Sequence, residues 1–287
     1  MWREHHDGRL ARLCVALPLL LLVAGSASLR AQESDPDEID YVNYAFASQL
    51  GSGIYKVGDR TVQIYRIPIS YPIRSAEDRP WGLKLRFPVT LGFYDFKPRD
   101  IIDDGLPDDV NTLTIAGAVE FDFPITRHWN LKPIGEFGVA KDFSGGQQSY
   151  VYSAGLKSRA VFPWKEYDFI VGNKLVWAGQ SAPSVILADD FAKLDTGFEV
   201  RHPLPLRISG HVVDVGGFFE NFIYFDTLQF LVAGEEPAQI TSQYEIGVTF
   251  GTKGPWKLWL IRVPRIGVSY RFGDDLTAVR LVLGGPF

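Results

Sequence analysis

The sequence contains almost no cysteine and, after its first thirty residues, no long run of apolar side chains. Its one cysteine, Cys14, lies within the apolar run from Leu13 to Gly25. Beyond that run no disulfide can form and no thiolate chemistry is available. No later stretch approaches the ~20 apolar residues that a membrane-spanning helix needs. The rest of the chain must therefore be stabilised by a hydrogen-bonded scaffold without disulfides.

Basic charge is also scarce. After residue 31 the chain has 25 Lys and Arg against 32 Asp and Glu, which gives no support for nucleic-acid binding. The sequence has no phosphate-binding glycine loop, no zinc-ligand spacing and no nucleophile elbow. We therefore expect no cofactor, no metal site and no nucleic-acid partner.

The first residues are typical of an export signal. Arg3, Arg9 and Arg12 precede the apolar run, and small residues follow it from Gly25, with Ala31 as a second candidate cleavage site. At about 13 residues the run is too short to span a membrane as a helix. We predict a signal peptide over 1–31, a short periplasmic segment over 32–44 and one β-domain over 45–287.

Apolar residues in the later chain recur at every second position. In Leu83 to Tyr94, an apolar face alternates with a face that carries Lys84 and Arg86, and the same pattern recurs in 111–124, 238–251 and 257–272. Such alternation is typical of strands with one apolar and one polar face. With Gly, Pro, Asn and Asp clusters as boundaries, we predict twelve strands: 45–57, 60–72, 82–95, 111–124, 130–142, 149–162, 167–178, 190–202, 206–222, 238–251, 257–272 and 276–287.

The connections alternate in character, as in an antiparallel barrel with both termini in the periplasm. Those after even strands are short and proline-rich, with Pro203, Pro205 and Pro255 among their prolines, whereas 96–110, 179–189 and 223–237 are longer. Four tryptophans at even connections resemble an aromatic girdle at one membrane interface. They are Trp81, Trp129, Trp164 and Trp256.

A soluble β-sandwich or lipocalin-like barrel would also show alternating strands. The predicted strands, at roughly 11 to 16 residues, exceed the ~5–6 of soluble strands and reach the ~9–11 of membrane strands. The last strand has an apolar face, and the sequence ends on the aromatic Phe287. We therefore favour an all-β fold: a closed, antiparallel, transmembrane barrel of about twelve strands.

The final residues, RIGVSYRFGDDLTAVRLVLGGPF from Arg265 to Phe287, resemble the last hairpin of autotransporter-type barrels without a passenger. The resemblance implies a twelve-stranded barrel in the outer membrane, exported by its signal peptide and assembled by periplasmic chaperones and the barrel assembly machinery. It implies Phe287 as the assembly signal, with outer-membrane lipid and lipopolysaccharide as surroundings. The segment between the cleavage site and the first strand leaves little room for a helix that threads the pore.

Fourteen charged side chains on the polar faces are predicted to line the lumen. Because unpaired charges in a narrow lumen would lose hydration, we expect a paired network rather than an open pore. They are Lys84, Arg86, Glu120, Asp122, Glu136, Lys157, Arg159, Lys174, Glu199, Arg201, Glu245, Arg265, Arg271 and Arg280.

Three groups of residues could in principle form a catalytic or metal site, but each has a simpler interpretation. Ser209 and His211 share a strand face, as in a hydrolase pair, but no carboxylate follows on that face, so a polar rim pair is the preferred interpretation. The acidic segment 95–109 fits no EF-hand and is expected to be a solvated loop. His128 and His202 are interpreted as residues at the membrane interface.

The sequence thus predicts a non-enzymatic barrel with a structural or narrow-channel role. The alternatives are an outer-membrane lipid hydrolase that uses Ser209 and His211, and a porin-like diffusion pore.

Overall fold

Twelve strands and one short helix account for nearly all described residues of the computed structural model. It describes residues 43–57, 60–77, 79–94, 110–143, 146–182, 185–208, 210–230, 238–258 and 261–287. The elements are α1 (Tyr44–Gln49), β1 (Ser52–Val57), β2 (Arg60–Arg74), β3 (Gly82–Tyr94), β4 (Thr112–Pro124), β5 (Trp129–Asp142), β6 (Gln148–Trp164), β7 (Tyr167–Ala182), β8 (Val185–Ile208), β9 (His211–Phe230), β10 (Ala238–Leu258), β11 (Ile261–Phe272) and β12 (Leu276–Leu283).

Each strand pairs antiparallel with its neighbours in sequence, and β1 closes the ring by pairing with β12. In the closing pair Ser52 lies opposite Leu281 and Val57 opposite Leu276. Closure leaves no strand edge unpaired, which is the condition for a sheet to cross a membrane. The predicted twelve-stranded, all-β barrel is confirmed.

The two faces of the barrel have the opposite polarity to that of a soluble protein. In β11 Arg265, Ser269 and Arg271 are buried, while Val268 is 62% exposed and Tyr270 47% exposed. In β4 Glu120 is buried and Ile115 is 54% exposed. Apolar side chains therefore cover the outside, and charged side chains fill the inside. This arrangement excludes the soluble sandwich or lipocalin-like barrel, whose apolar face would be inside, and identifies the fold as a transmembrane barrel.

The ends of the barrel differ in their connections. We call the end with the β2–β3, β4–β5, β6–β7, β8–β9 and β10–β11 connections the turn end, and the other the loop end. β1 begins toward the turn end, and β12 ends there. Several predicted connections are wrong because the ladders continue through them. Gln180 pairs with Asp189, and β9 extends to Phe230, so residues 179–182, 185–189 and 223–230 belong to strands.

Two strand ends that were predicted from prolines at the turn end are also wrong. β8 continues past Pro203 and Pro205 to Ile208, and β10 continues past Pro255 and Trp256 to Leu258. The register shifts between Pro203 and Arg207, and again between Gly251 and Trp256. Because a bulge leaves ladder positions unpaired, a strand accommodates proline there. These prolines therefore mark bulges rather than connections.

The predicted first strand is wrong over its first half, because Tyr44–Gln49 forms helix α1. Asn43 caps the helix, and its side-chain oxygen accepts a hydrogen bond from the Phe46 N–H at 2.7 Å. Phe46 contacts Phe191 of β8 and Tyr224 of β9, which lie far from β1 in strand order. Such contacts are available only inside the barrel, so a short helix does occupy the interior, against expectation.

Across the part of the chain that the structure describes, no helix combines the length and the apolar character needed to span a membrane.

Candidate functional site in the barrel interior

The interior near β3–β6 is organised by one carboxylate. Glu120 accepts hydrogen bonds from Lys84 Nζ at 3.2 Å, Arg86 at 3.1 Å and Lys157 Nζ at 3.4 Å, and its side chain is 6% exposed. Lys157 belongs to β6, two strands away from Glu120 in β4, so this contact crosses the concave inner surface. One negative charge is shared by three cations.

A second cluster lies where the barrel closes. Glu245 of β10 accepts hydrogen bonds from Ser269 Oγ at 2.6 Å and Arg271 Nε at 2.9 Å, and it also pairs with Arg280 of β12. Its side chain is 1% exposed. The cluster ties β10, β11 and β12 together from inside, next to the β1–β12 closure.

A third cluster joins β8, β9, β10 and β11. Glu199 accepts hydrogen bonds from Arg201 at 2.6 Å and from Thr249 Oγ1 at 2.9 Å. Arg265 lies 3.5 Å from Glu199 and 2.5 Å from Asp214. Buried charges are tolerated when they are paired and hydrogen-bonded in this way.

Smaller pairs complete the interior. Arg66 lies 3.3 Å from Glu136, and Lys132 lies 3.1 Å from Asp122, which also accepts a hydrogen bond from Asn130 at 2.8 Å. These pairs involve two of the predicted lumen residues, Glu136 and Asp122, and two basic residues that were not predicted, Arg66 and Lys132.

Two predicted lumen residues form no ion pair with the carboxylates that the structure describes. Lys174 Nζ donates to the side-chain oxygen of Gln49 in α1 at 3.2 Å. Within the described residues, no carboxylate lies within 4.0 Å of Lys174 or Arg159. Twelve of the fourteen predicted lumen residues thus form ion pairs among the described residues, and Lys174 and Arg159 do not.

Several buried charges in β8 and β9 were not predicted from the sequence. Lys193 pairs with Asp195 at 3.0 Å, and both side chains are at most 5% exposed. They lie in β8 at the same parity as the predicted Glu199, so extending the alternation backward finds them. Asp214 and Glu220 are buried in β9, where the sequence pattern is least regular.

Helix α1 occupies the loop-end half of the interior. Tyr44 clusters with Ala140 and Val151, and the Ala45 N–H donates to Gln180 Oε1 at 3.1 Å. Gln180 lies two residues before the end of β7, so the N-terminal end of the helix points toward the loop end. From Asn43 the chain therefore runs away from the loop end through α1, and it reverses before β1.

The C-terminal residues leave the sheet after β12 and fold into the barrel interior in its turn-end half. β12 ends at Leu283, and Gly284 adopts φ +103°, a conformation that favours glycine. The ring of Phe287 lies against Gly172 and Gly197 of β7 and β8, where a Cβ on either glycine would collide with it. The prediction that the last strand runs to Phe287 was therefore wrong, because the chain leaves the sheet after Leu283. Its role as an assembly signal stays a prediction.

Aromatic side chains near the turn end are partly exposed. Trp164 is 59% exposed and contacts Phe169, and Trp129 is 38% exposed and donates from Nε1 to Ser158 Oγ at 2.8 Å. The guanidinium of Arg74 lies 3.9 Å from the ring centre of Trp81. Trp256 lies within β10, and its side chain is outside the described residues.

The other candidates from the sequence give little chemistry. His211 is exposed at the start of β9, but Ser209 lies outside the described residues, so no pair can be assessed. The acidic segment 95–109 also lies outside them. His202 packs on Tyr167 with ring centres 4.9 Å apart, and His128 is exposed in the β4–β5 connection. Within the described residues, no group of three or more His, Cys, Asp or Glu has a geometry suited to a metal ion.

Fold and interior together define a membrane β-barrel with a charged, largely paired interior. No protein-family model matches the chain, and no curated protein matches its sequence. Solved structures with a similar fold include the beta domain of the Bordetella autotransporter Brka, at 11% identity and a TM-score of 0.48, covering 80% of this chain and 92% of that one. LpxR from Salmonella typhimurium is similar at 11% identity and a TM-score of 0.42, covering 79% and 88%.

These similarities concern the fold alone. One of the two is the beta domain of an autotransporter, the class of barrel that the last two strands of this chain were found to resemble. The expectation of a non-enzymatic protein was wrong as an inference from this fold, because LpxR is an outer-membrane lipid-modifying enzyme with the same barrel fold. Both of these proteins are outer-membrane barrels.

Proposed function

We propose that the protein is an integral outer-membrane barrel that forms a narrow conduit, closed at rest by helix α1. The observation that carries the proposal is the position of α1, whose residues Tyr44, Ala45 and Phe46 are buried inside the barrel wall. A permanently open diffusion pore would need an unobstructed lumen. Here helix α1 lies in the lumen, and buried ion-paired clusters line the wall around it.

The outer-membrane location is part of the proposal. It is supported by the closed barrel, the apolar exterior and the aromatic side chains near the turn end. On this proposal residues 1–31 direct export, the turn end faces the periplasm, and assembly requires periplasmic chaperones and the barrel assembly machinery. Lipopolysaccharide and phospholipid then surround the apolar exterior.

The docking of α1 depends on a small apolar cluster. Phe46 lies with its ring centre 6.0 Å from that of Phe191 and 5.9 Å from that of Tyr224. Phe46→Ala removes these contacts at a cost of about 3–5 kcal/mol if the helix stays in place. A helix of six residues has no independent stability, so this loss favours a state in which α1 leaves the wall.

Planar-bilayer recording tests the closed conduit. We expect the wild type to be nearly silent and Phe46→Ala to show frequent stepwise openings. The matched control is Phe137→Ala, because Phe137 is an aromatic residue that is 58% exposed on the outer face; it should stay silent. Steady conductance in the wild type would contradict closure by α1, and silence in Phe46→Ala would restrict the barrel to a non-conducting role.

A further inference from the structure

A row of lysines crosses three neighbouring strands on the inner face. Lys132 of β5 lies directly opposite Lys157 of β6, and Lys157 lies directly opposite Lys174 of β7. Directly opposed residues in a sheet have Cβ atoms ≈ 4.5–5.5 Å apart, and like charges at such positions destabilise the sheet. The row therefore costs free energy unless negative charge is placed against it.

The described residues supply too little negative charge for this row. Lys132 pairs with Asp122 at 3.1 Å, but Lys157 shares the single carboxylate of Glu120 with Lys84 and Arg86. Lys174 donates only to the neutral Gln49, while Asp195, which lies opposite Lys174 in register, is hydrogen-bonded to Lys193.

The row faces a cavity of about 460 Å³ between α1 and the C-terminal residues 284–287. Nine Lys or Arg side chains line this cavity, against three acidic ones. The acidic three are Glu120, Asp195 and Glu220. A volume of this size lies within the range of small-molecule sites, ≈ 300–1,000 Å³. The cavity thus combines the size of a ligand site with an excess of positive charge.

We propose that this cavity binds a small, multiply charged anion that carries phosphate groups. The ammonium groups of Lys157 and Lys174 present point charges, and the guanidinium groups of Arg86 and Arg159 present planar donors that match phosphate oxygens. One carboxylate would neutralise only one member of the row, whereas a group with two or more negative charges offsets several. The site does not depend on whether the barrel conducts.

Binding is measured by calorimetry on the detergent-solubilised full-length protein at low ionic strength, with inorganic pyrophosphate as the probe. Lys174→Met should weaken binding about tenfold or more, because it removes a charge-assisted hydrogen bond. Lys157→Met is the second variant. The control is Lys141→Met, because Lys141 is exposed near the loop end of β5 and outside the cavity; its affinity should equal that of the wild type.

Thermal unfolding with and without pyrophosphate distinguishes the loss of the binding site from a disturbed fold. Because the row is repulsive when empty, Lys174→Met should leave the thermal stability of the ligand-free barrel equal or higher while abolishing most of the stabilisation by pyrophosphate. No binding by the wild type, or equal losses in Lys174→Met and Lys141→Met, would overturn the proposal.

The phosphate could belong to a soluble ester or to a lipid headgroup, and two further probes separate these sources. Similar affinity for glycerol phosphate and short-chain phosphatidate supports a soluble ester. At least tenfold tighter binding of phosphatidate supports a headgroup, with the acyl chains outside the charged cavity. Failure of both probes together with pyrophosphate overturns the site but leaves the closed conduit intact.

Discussion

Glu245 joins three strands next to the closure of the barrel. Its carboxylate contacts Ser269, Arg271 and Arg280, and so joins three strands in an interior where it is almost inaccessible to water. A buried carboxylate and two guanidinium groups contribute little net free energy as a group. Removing the negative charge alone is costly, because it leaves two cations buried without their partner.

We therefore expect Glu245→Gln to lower the free energy of unfolding by about 3 kcal/mol or more. Urea unfolding in lipid vesicles, followed by tryptophan fluorescence, measures this change. The control is Glu77→Gln in the exposed β2–β3 connection, which should stay within about 0.5 kcal/mol of the wild type. Equal midpoints for the two variants would show that Glu245 is not needed to balance the arginines.

At the scale of elements, the β11–β12 connection is fastened to a neighbouring strand. Asp274 adopts φ +36° and accepts hydrogen bonds at its Oδ2 from the Thr241 N–H at 2.6 Å and the Ser242 N–H at 2.8 Å. Asp275 accepts another from the Gln239 N–H at 2.8 Å. The turn thereby satisfies backbone donors at the start of β10.

These bonds give the turn a pH dependence. Partial desolvation would raise the pKa of Asp274, but the hydrogen bonds from Ser242 and Thr241 outweigh it and lower the pKa below its ordinary value. The folded-state pKa is thus below the unfolded one, so the stabilisation is present above the unfolded pKa and is lost as the pH falls through the folded pKa. We expect hydrogen-exchange protection of the Thr241 and Ser242 amides to fall on acidification below about pH 4.

Asp274→Asn provides the comparison for this effect. Asparagine tolerates the same backbone conformation and still offers an oxygen, but it carries no titratable charge. Protection of the two amides should be lower at neutral pH in Asp274→Asn and should no longer change on acidification. A protection profile that still falls with acid in the variant would assign the effect to another group.

At the scale of the whole molecule, the apolar exterior defines how the barrel relates to its solvent. Val268 lies near the middle of β11, is 62% exposed and is paired with Val248 and Leu281. In a membrane this position contacts hydrocarbon, so Val268→Lys should lower the free energy of unfolding in lipid by about 2–4 kcal/mol.

A matched control is an exposed apolar residue that lies near the membrane interface rather than near the middle of the bilayer. Ile125, in the β4–β5 connection at the turn end, is 47% exposed, and Ile125→Lys should cost only about 0–1 kcal/mol, as expected near the interface. Chemical unfolding from lipid vesicles measures both variants. If Val268→Lys were as well tolerated as Ile125→Lys, the exterior would not contact lipid and the membrane assignment would fail.

The period-two pattern determined which face of each strand is apolar, because side-chain direction alternates along any strand whatever its partners. Glu245 could therefore be placed on the inner face and Val268 on the outer face from the sequence. The number of strands could be predicted in the same way. Boundaries were less predictable, because a proline at a bulge and a proline at a turn look alike until the register is known.

Only the tertiary structure decided what fills the barrel. Residues 44–49 read as the start of a strand and became a helix because Phe46 meets Phe191 and Tyr224, which are distant in sequence. Phe287 left its strand because Gly172 and Gly197, on the opposite wall, leave space for its ring. The lysine row likewise exists only once the registers of three strands are set. Alternation is a local property of the chain, whereas contacts across a closed interior depend on the ring as a whole.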